Sequence, residues 1–223
     1  MMDLRRAAIF GGTFDPVHNG HMEAARRVLH LFALDEVIFV PACAPPHKRN
    51  ADITAAFHRF AMLALATEDD VKLRMSTIEL DAPDLPYAVE TVARVQSELG
   101  PNCRLFFMMG ADSWSEITTW RDWQRLLTMC EQIVVTRPGY ELNTSEGSQR
   151  AVVADVRGLS EEEISMSLRD DDQPRTFFTD AAMVDVSATE IRAVAHSGAY
   201  GQLREMVPPA VASYIEKYEL YRN

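Results

Sequence analysis

Short apolar runs alternate with helix-length amphipathic stretches along most of the chain, and this alternation restricts the fold more than any other feature. Ala7 to Phe10 is an apolar run ended by Gly11-Gly12. His21 to Phe32 follows with Met22, Ala25, Val28, Leu29 and Phe32 at helical spacing. Glu36 to Val40 predicts a second strand, stopped by Pro41. Thr54 to Ala66 predicts a helix with Phe57, Phe60, Ala61 and Ala64 on one stripe. Leu73 to Leu80 predicts a third strand. Ala88 to Leu99 predicts a helix closed by Gly100-Pro101. Leu105 to Met109 and Gln132 to Thr136 predict further strands, with a helix through Trp123, Leu126 and Leu127 between them. Strands alternating with helices imply βαβ units and a mostly parallel sheet, and right-handed crossovers make it doubly wound. The predicted class is therefore α/β. The end of the chain, Ser187 to Tyr221, reads as two or three short helices broken at Gly198 and Pro208-Pro209. Residues 143–174 hold Glu161-Glu162-Glu163 and Asp170-Asp171-Asp172 and predict a solvated, irregular insertion rather than an acidic metal site. The 223 residues suit one domain, 1–223, with 143–174 as a variable insertion and 187–223 as a C-terminal helical part.

Ligands of such sheets sit beyond the carboxyl ends of the strands. The unusual residues of this chain fall there: Gly11-Gly12-Thr13, the loop from Pro41 to Lys48, Gly110-Ala111-Asp112 and Arg137. The net charge of −11 argues against a general nucleic-acid surface, yet a small phosphate compound needs only a local positive site. The three cysteines, Cys43, Cys103 and Cys130, lack metal-ligand spacing and read as small packing residues. No signal peptide and no membrane-length apolar run is recognisable, so a soluble cytoplasmic protein is expected.

The segment Gly11 to His21 carries the most chemistry. Its glycines let a backbone approach a ligand closely, and a helix starting near Gly20-His21 aims free N–H groups into the same cleft. His18 and His21, three apart across the helix start, can both donate hydrogen bonds to one anion. A pair at this spacing could equally be half a metal site or core filler, but the flanking glycines and helix favour the anion. Farther on, Ser187-x-x-Glu190 is a capping box, and Arg192 lies one turn into the helix it opens.

Gly11-Gly12-Thr13-Phe14-Asp15-Pro16-Val17-His18-Asn19-Gly20-His21 resembles the His-x-Gly-His signature of the nucleotidyltransferase superfamily, which has a Rossmann-like fold. Four more segments resemble the bacterial nicotinate-mononucleotide adenylyltransferases within it: Pro41 to Lys48, Gly110-Ala111-Asp112-Ser113 with Thr119-Trp120, Thr136 to Tyr140, and Val186 to Arg192. The resemblance implies transfer of AMP from ATP to nicotinate mononucleotide, giving deamido-NAD and pyrophosphate in NAD biosynthesis. It implies catalytic roles for His18, His21, Lys48 and Arg192. It implies ATP contacts from Gly11, Gly12, Thr13, Phe14, Gly110, Asp112, Arg137, Ser187 and Thr189, with Ser187, Thr189 and Arg192 on the β- and γ-phosphates. It implies mononucleotide contacts from His47, Tyr87, Ala88, Thr91 and Trp120, the last stacking on the pyridine ring. The family commonly has Ser-Tyr-Thr where this chain has Pro86-Tyr87-Ala88, so a hydroxyl near the nicotinate carboxylate is missing; backbone amides or Thr91 would have to replace it. Mg²⁺ is expected with ATP, with no protein metal ligand assigned. No nucleic acid or membrane partner is expected, and homo-oligomer formation stays open. The neighbouring readings are a transferase for nicotinamide mononucleotide, phosphopantetheine or an alcohol phosphate, and a non-catalytic nucleotide sensor on the same fold. Intact His18, His21 and Arg192 disfavour the sensor.

Overall fold

The structure is a computed structural model describing residues 4–43, 53–82, 86–136, 152–168, 175–181 and 186–222. Its strands are β1 (Arg5–Gly12), β2 (Glu36–Pro41), β3 (Leu73–Met75), β4 (Cys103–Gly110), β5 (Glu131–Val135), β6 (Val152–Asp155) and β7 (Arg175–Thr179). They form one sheet in the order β3-β2-β1-β4-β5-β7-β6, with every pair parallel. The helices are α1 (Asn19–Leu31), α2 (Ala56–Thr67), α3 (Ala88–Leu99), α4 (Ala111–Ser115), α5 (Trp123–Met129), α6 (Glu161–Ser167), α7 (Ala188–Ser197), α8 (Tyr200–Met206) and α9 (Pro209–Lys217).

The central strands are apolar at successive positions because both faces are covered. Ala8 and Phe10 of β1, Val37 and Phe39 of β2, and Phe106 and Met108 of β4 enter one core. Ala7 and Ile9, Ile38 and Val40, and Leu105, Phe107 and Met109 enter the other. The first core is closed by residues such as Val28 of α1, Met62 of α2, Ile191 of α7 and Ile215 of α9. The second is closed by Val92 of α3, Trp114 of α4 and Leu126 of α5. β1 pairs with β2 on one side and β4 on the other, so the winding reverses between β1 and β4. A crevice opens at such a reversal, beyond Gly12 and Gly110.

The strand–helix alternation read from the sequence is present, with three corrections. The third strand ends at Met75, not Leu80. Along this edge Val37 N–H donates to the Lys72 carbonyl at 2.9 Å, but two residues past Phe39 comes Pro41, which has no N–H to continue the ladder. Second, the stretch expected to be irregular contains β6 and α6. Glu161-Glu162-Glu163 form the first turn of α6, where negative charge suits the helix dipole, and Ser160 Oγ caps it by accepting from Glu163 N–H at 3.4 Å. Asp170-Asp171-Asp172 lie outside the described residues. Third, β7, Arg-Thr-Phe-Phe-Thr, was not anticipated, and it is buried between β5 and β6. The C-terminal helices break where expected. Gly198 ends α7 with φ of 76°, a left-handed conformation that glycine adopts without strain.

At the N-terminal ends of β4 and β5, opposite the crevice, Arg104 Nε and Nη2 donate to the two oxygens of Glu131 at 2.6 and 2.9 Å. Both side chains are mostly buried. Removing one member of a buried, two-pronged pair strands the other. Glu131→Ala is therefore expected to lower unfolding free energy by about 3–5 kcal/mol in a denaturant titration. A loss below about 1 kcal/mol would class the pair with ordinary surface salt bridges.

Candidate active site

The turn after β1 is shaped by one aromatic ring. Phe14 has φ of 49° and lays its ring over Gly12, where an added Cβ would meet it at 2.9 Å. That ring cannot swing away, because it packs against Phe10 at 5.4 Å, Phe39 at 5.5 Å and His21 at 5.1 Å between centroids. Gly12 is thus needed to admit Phe14, a reason the sequence reading did not supply. The Phe14 side chain belongs to the core, so an ATP contact at this residue would use its backbone.

His18 is the N-cap of α1, which begins at Asn19, slightly earlier than expected. The His18 backbone N–H donates to His21 Nδ1 at 3.3 Å, and the two imidazoles pack together with centroids 3.6 Å apart and planes tilted by 31°. Since His21 accepts at Nδ1, its neutral ring carries the proton on Nε2 and is a donor there. The pair therefore stands where the sequence placed it, at the helix start beyond β1.

Distant parts of the chain converge on the same turn. Arg192 of α7 donates to the Asp15 carbonyl at 2.8 Å and to Thr189 Oγ1 at 3.2 Å. Ser187 Oγ caps α7 by accepting from Glu190 N–H at 3.2 Å. The Asp15 carboxylate accepts from Thr54 N–H at 3.2 Å and from the Tyr221 hydroxyl at 2.7 Å. Arg59 of α2 donates to the carbonyls of Thr13 (2.7 Å), Ala42 (2.7 Å), Cys43 (3.1 Å) and Thr54 (2.9 Å). It is only 1% exposed. Burial lowers its pKa below the usual arginine value, and the charge of Asp15 opposes that shift. Burial, and then Asp15, raise the Tyr221 phenol well above its ordinary range, so it stays a hydroxyl donor. The sequence reading missed Arg59 and Tyr221. The stripe expected on this helix, Phe57, Phe60, Ala61 and Ala64, is not its buried face: Phe57 is exposed, and Arg59 shares the buried face with Met62, Leu63 and Ala66.

On the other side of the crevice, Gly110 closes β4 and Asp112 lies in the first turn of α4. Trp120 packs edge-on to Phe107, with centroids 6.2 Å apart. Tyr87 is the N-cap of α3, so Ala88 begins that helix, and the Arg121 guanidinium lies over the Tyr87 ring at 4.8 Å. Thr91 is buried, and its hydroxyl donates to Glu79 Oε1 at 2.7 Å. Its one O–H donor is therefore used within the protein. His47, Lys48 and Arg137 lie outside the described residues. Among the described residues no group of three or more His, Cys, Asp or Glu could hold a metal ion. None of the described helices is long and apolar enough to cross a membrane.

Comparison with known proteins gives a family and a shared fold. The model of the family described as cytidylyltransferase-like matches residues 9–194. A protein of Moorella thermoacetica named "Probable nicotinate-nucleotide adenylyltransferase" is 36% identical over 97% of this chain and 92% of its own length. A protein of the same name from Pseudomonas aeruginosa is 35% identical over 98% of each. Among solved structures, the Plasmodium falciparum nicotinic acid mononucleotide adenylyltransferase complexed with NaAD shares the fold. It has a TM-score of 0.74 at 18% identity, covering 97% of each chain.

Glu79 gives a pH test of this site's packing. Burial raises its pKa, and the Thr91 hydroxyl only partly offsets that. A carboxyl with a raised folded-state pKa adds stability while protonated and loses that contribution as pH rises through the folded value. Glu79→Gln should therefore change stability more favourably at about pH 7 than at about pH 4, relative to the parent at each pH. The opposite ordering in paired thermal melts would mean that Glu79 is stabilised as the carboxylate.

Proposed function

The chain belongs to the cytidylyltransferase-like family, and from that premise we propose that it is an adenylyltransferase joining AMP from ATP to nicotinate mononucleotide. The products are deamido-NAD and pyrophosphate, a step of NAD biosynthesis. The observation that carries this reading is the His18–His21 pair, stacked at the start of α1 beside the β1–β4 crevice and next to the turn that holds Arg192. The curated relatives supply the acceptor.

In this reaction an oxygen of the mononucleotide phosphate attacks the α-phosphorus of ATP, and the bond to the pyrophosphate leaving group breaks. The nucleophile is already ionised, so no general base is needed. Catalysis then consists of alignment and neutralisation of charge on the α-phosphate and the leaving group. His21 Nε2–H and His18 supply donors to the α-phosphate. Arg192, with Thr189 beside it, takes the β- and γ-phosphates, where a planar guanidinium can grip two oxygens. Lys48 is assigned the same charge-neutralising role from the loop side. Mg²⁺ accompanies ATP in this proposal and adds positive charge. Its donors would be mainly phosphate oxygens and water, a mode that needs no protein cage.

The pyridine end is assigned to Trp120, Tyr87 and Ala88. With a methyl at Ala88 and Thr91 committed to Glu79, carboxylate selection falls to backbone N–H groups, helped by the positive charge of Arg121. A carboxylate draws charge-assisted bonds from such donors, whereas an amide sets its own donors against them.

Pyrophosphate release from Mg-ATP with each candidate acceptor tests the assignment. Nicotinate mononucleotide should be used at least about tenfold better than the amide in kcat/KM. A preference for the amide, or for phosphopantetheine, would replace the acceptor, and no release with any acceptor would favour the sensor. His18→Ala should fold normally and lose about 10²–10³-fold in turnover, the usual effect of deleting one transition-state donor. Near-parental turnover would remove His18 from the mechanism.

A further inference from the structure

Asp15 is the point at which α2, α7 and the end of the chain meet the phosphate turn. Its carbonyl accepts from Arg192, and its carboxylate accepts from Tyr221 and from Thr54 N–H. The Thr54 carbonyl is in turn gripped by Arg59, which also holds the Thr13 carbonyl two residues before Asp15. We infer that Arg59 and Tyr221 are positioning residues for Arg192, acting through Asp15. Arg59 donates to four backbone carbonyls, and Tyr221 gives its proton to a carboxylate.

Position is transmitted through short, directional bonds to atoms of one residue. Arg59 fixes where the Thr13 to Asp15 backbone lies, and Tyr221 fixes the Asp15 side chain. Together they set the direction of the carbonyl against which Arg192 Nη1 is braced, and Thr189 Oγ1 steadies Nη2. An arginine on one helical turn alone would sample many rotamers. Bracing against Asp15 selects one of them before ATP arrives and lowers the ordering cost of binding. Tyr221 is 206 residues from Asp15 in sequence, so a segment remote along the chain reaches the proposed site.

This inference rests on the proposed adenylyl transfer. The test measures kcat and KM for Mg-ATP and for the mononucleotide in the parent, Tyr221→Phe and Arg59→Lys, each alone and combined with Arg192→Ala. Tyr221→Phe removes a single hydroxyl, which keeps the test decisive even if Arg59→Lys does not fold. In the intact background each variant should lower kcat/KM for ATP by about tenfold, the scale of one hydrogen bond to a charged group. The KM for the mononucleotide should stay within about twofold, because that ligand does not depend on Arg192. In the Arg192→Ala background either substitution should add less than about twofold. Equal losses in both backgrounds, or no loss for Tyr221→Phe in the intact one, would overturn the inference. A parent that releases no pyrophosphate would instead overturn the assigned reaction.

Discussion

A single buried guanidinium, that of Arg59, imposes the strictest condition on this end of the molecule. A charge taken almost wholly out of water is tolerated only if its donors all find acceptors. Four of those acceptors are carbonyls from the turn after β1, the segment after β2 and the residues leading into α2. Satisfying the arginine therefore brings three loops to fixed places around the crevice. Asp15 adds the compensating negative charge and passes the constraint on to α7 and to Tyr221. The sheet supplies a crevice; Arg59 and Asp15 decide what faces it.

Much of this architecture was legible in the sequence because it is written in local periodicity. β1, α1, β2 and α3 have their patterns, caps and stops within a few residues. The His18–His21 pair was legible for the same reason, since the cap and third positions of a helix start lie close together. Ser187 announced its helix through the same capping chemistry. What stayed hidden depends on distant partners. β7 opens with an arginine and is only five residues long, too short for its Thr-Phe-Phe-Thr run to show a period. β3 stops early because of Pro41 on the neighbouring strand. Arg59 looks like a solvated position on α2 until the carbonyls around it are seen, and Tyr221 looks like a terminal residue until Asp15 is seen. Gly12 was correctly singled out, but its partner is the Phe14 ring.

The proposed chemistry suits this construction. Adenylyl transfer asks little of a protein by way of proton traffic and much by way of alignment. A site of imidazoles and guanidiniums held by backbone carbonyls and one carboxylate can provide that alignment without an acidic cluster. Thr91 illustrates the same economy. Its hydroxyl donates to Glu79, and the proposed assignment then leaves discrimination of the acceptor to charge and backbone donors.

The most direct test of this account is a crystal structure with Mg²⁺, a non-hydrolysable ATP analogue and nicotinate mononucleotide. The account predicts the α-phosphate within hydrogen-bonding distance of the His18 and His21 rings, the β- and γ-phosphates on Arg192, and the acceptor phosphate in line behind the α-phosphorus. Phosphates bound away from the turn between Gly12 and His21, with both imidazoles out of reach, would contradict it.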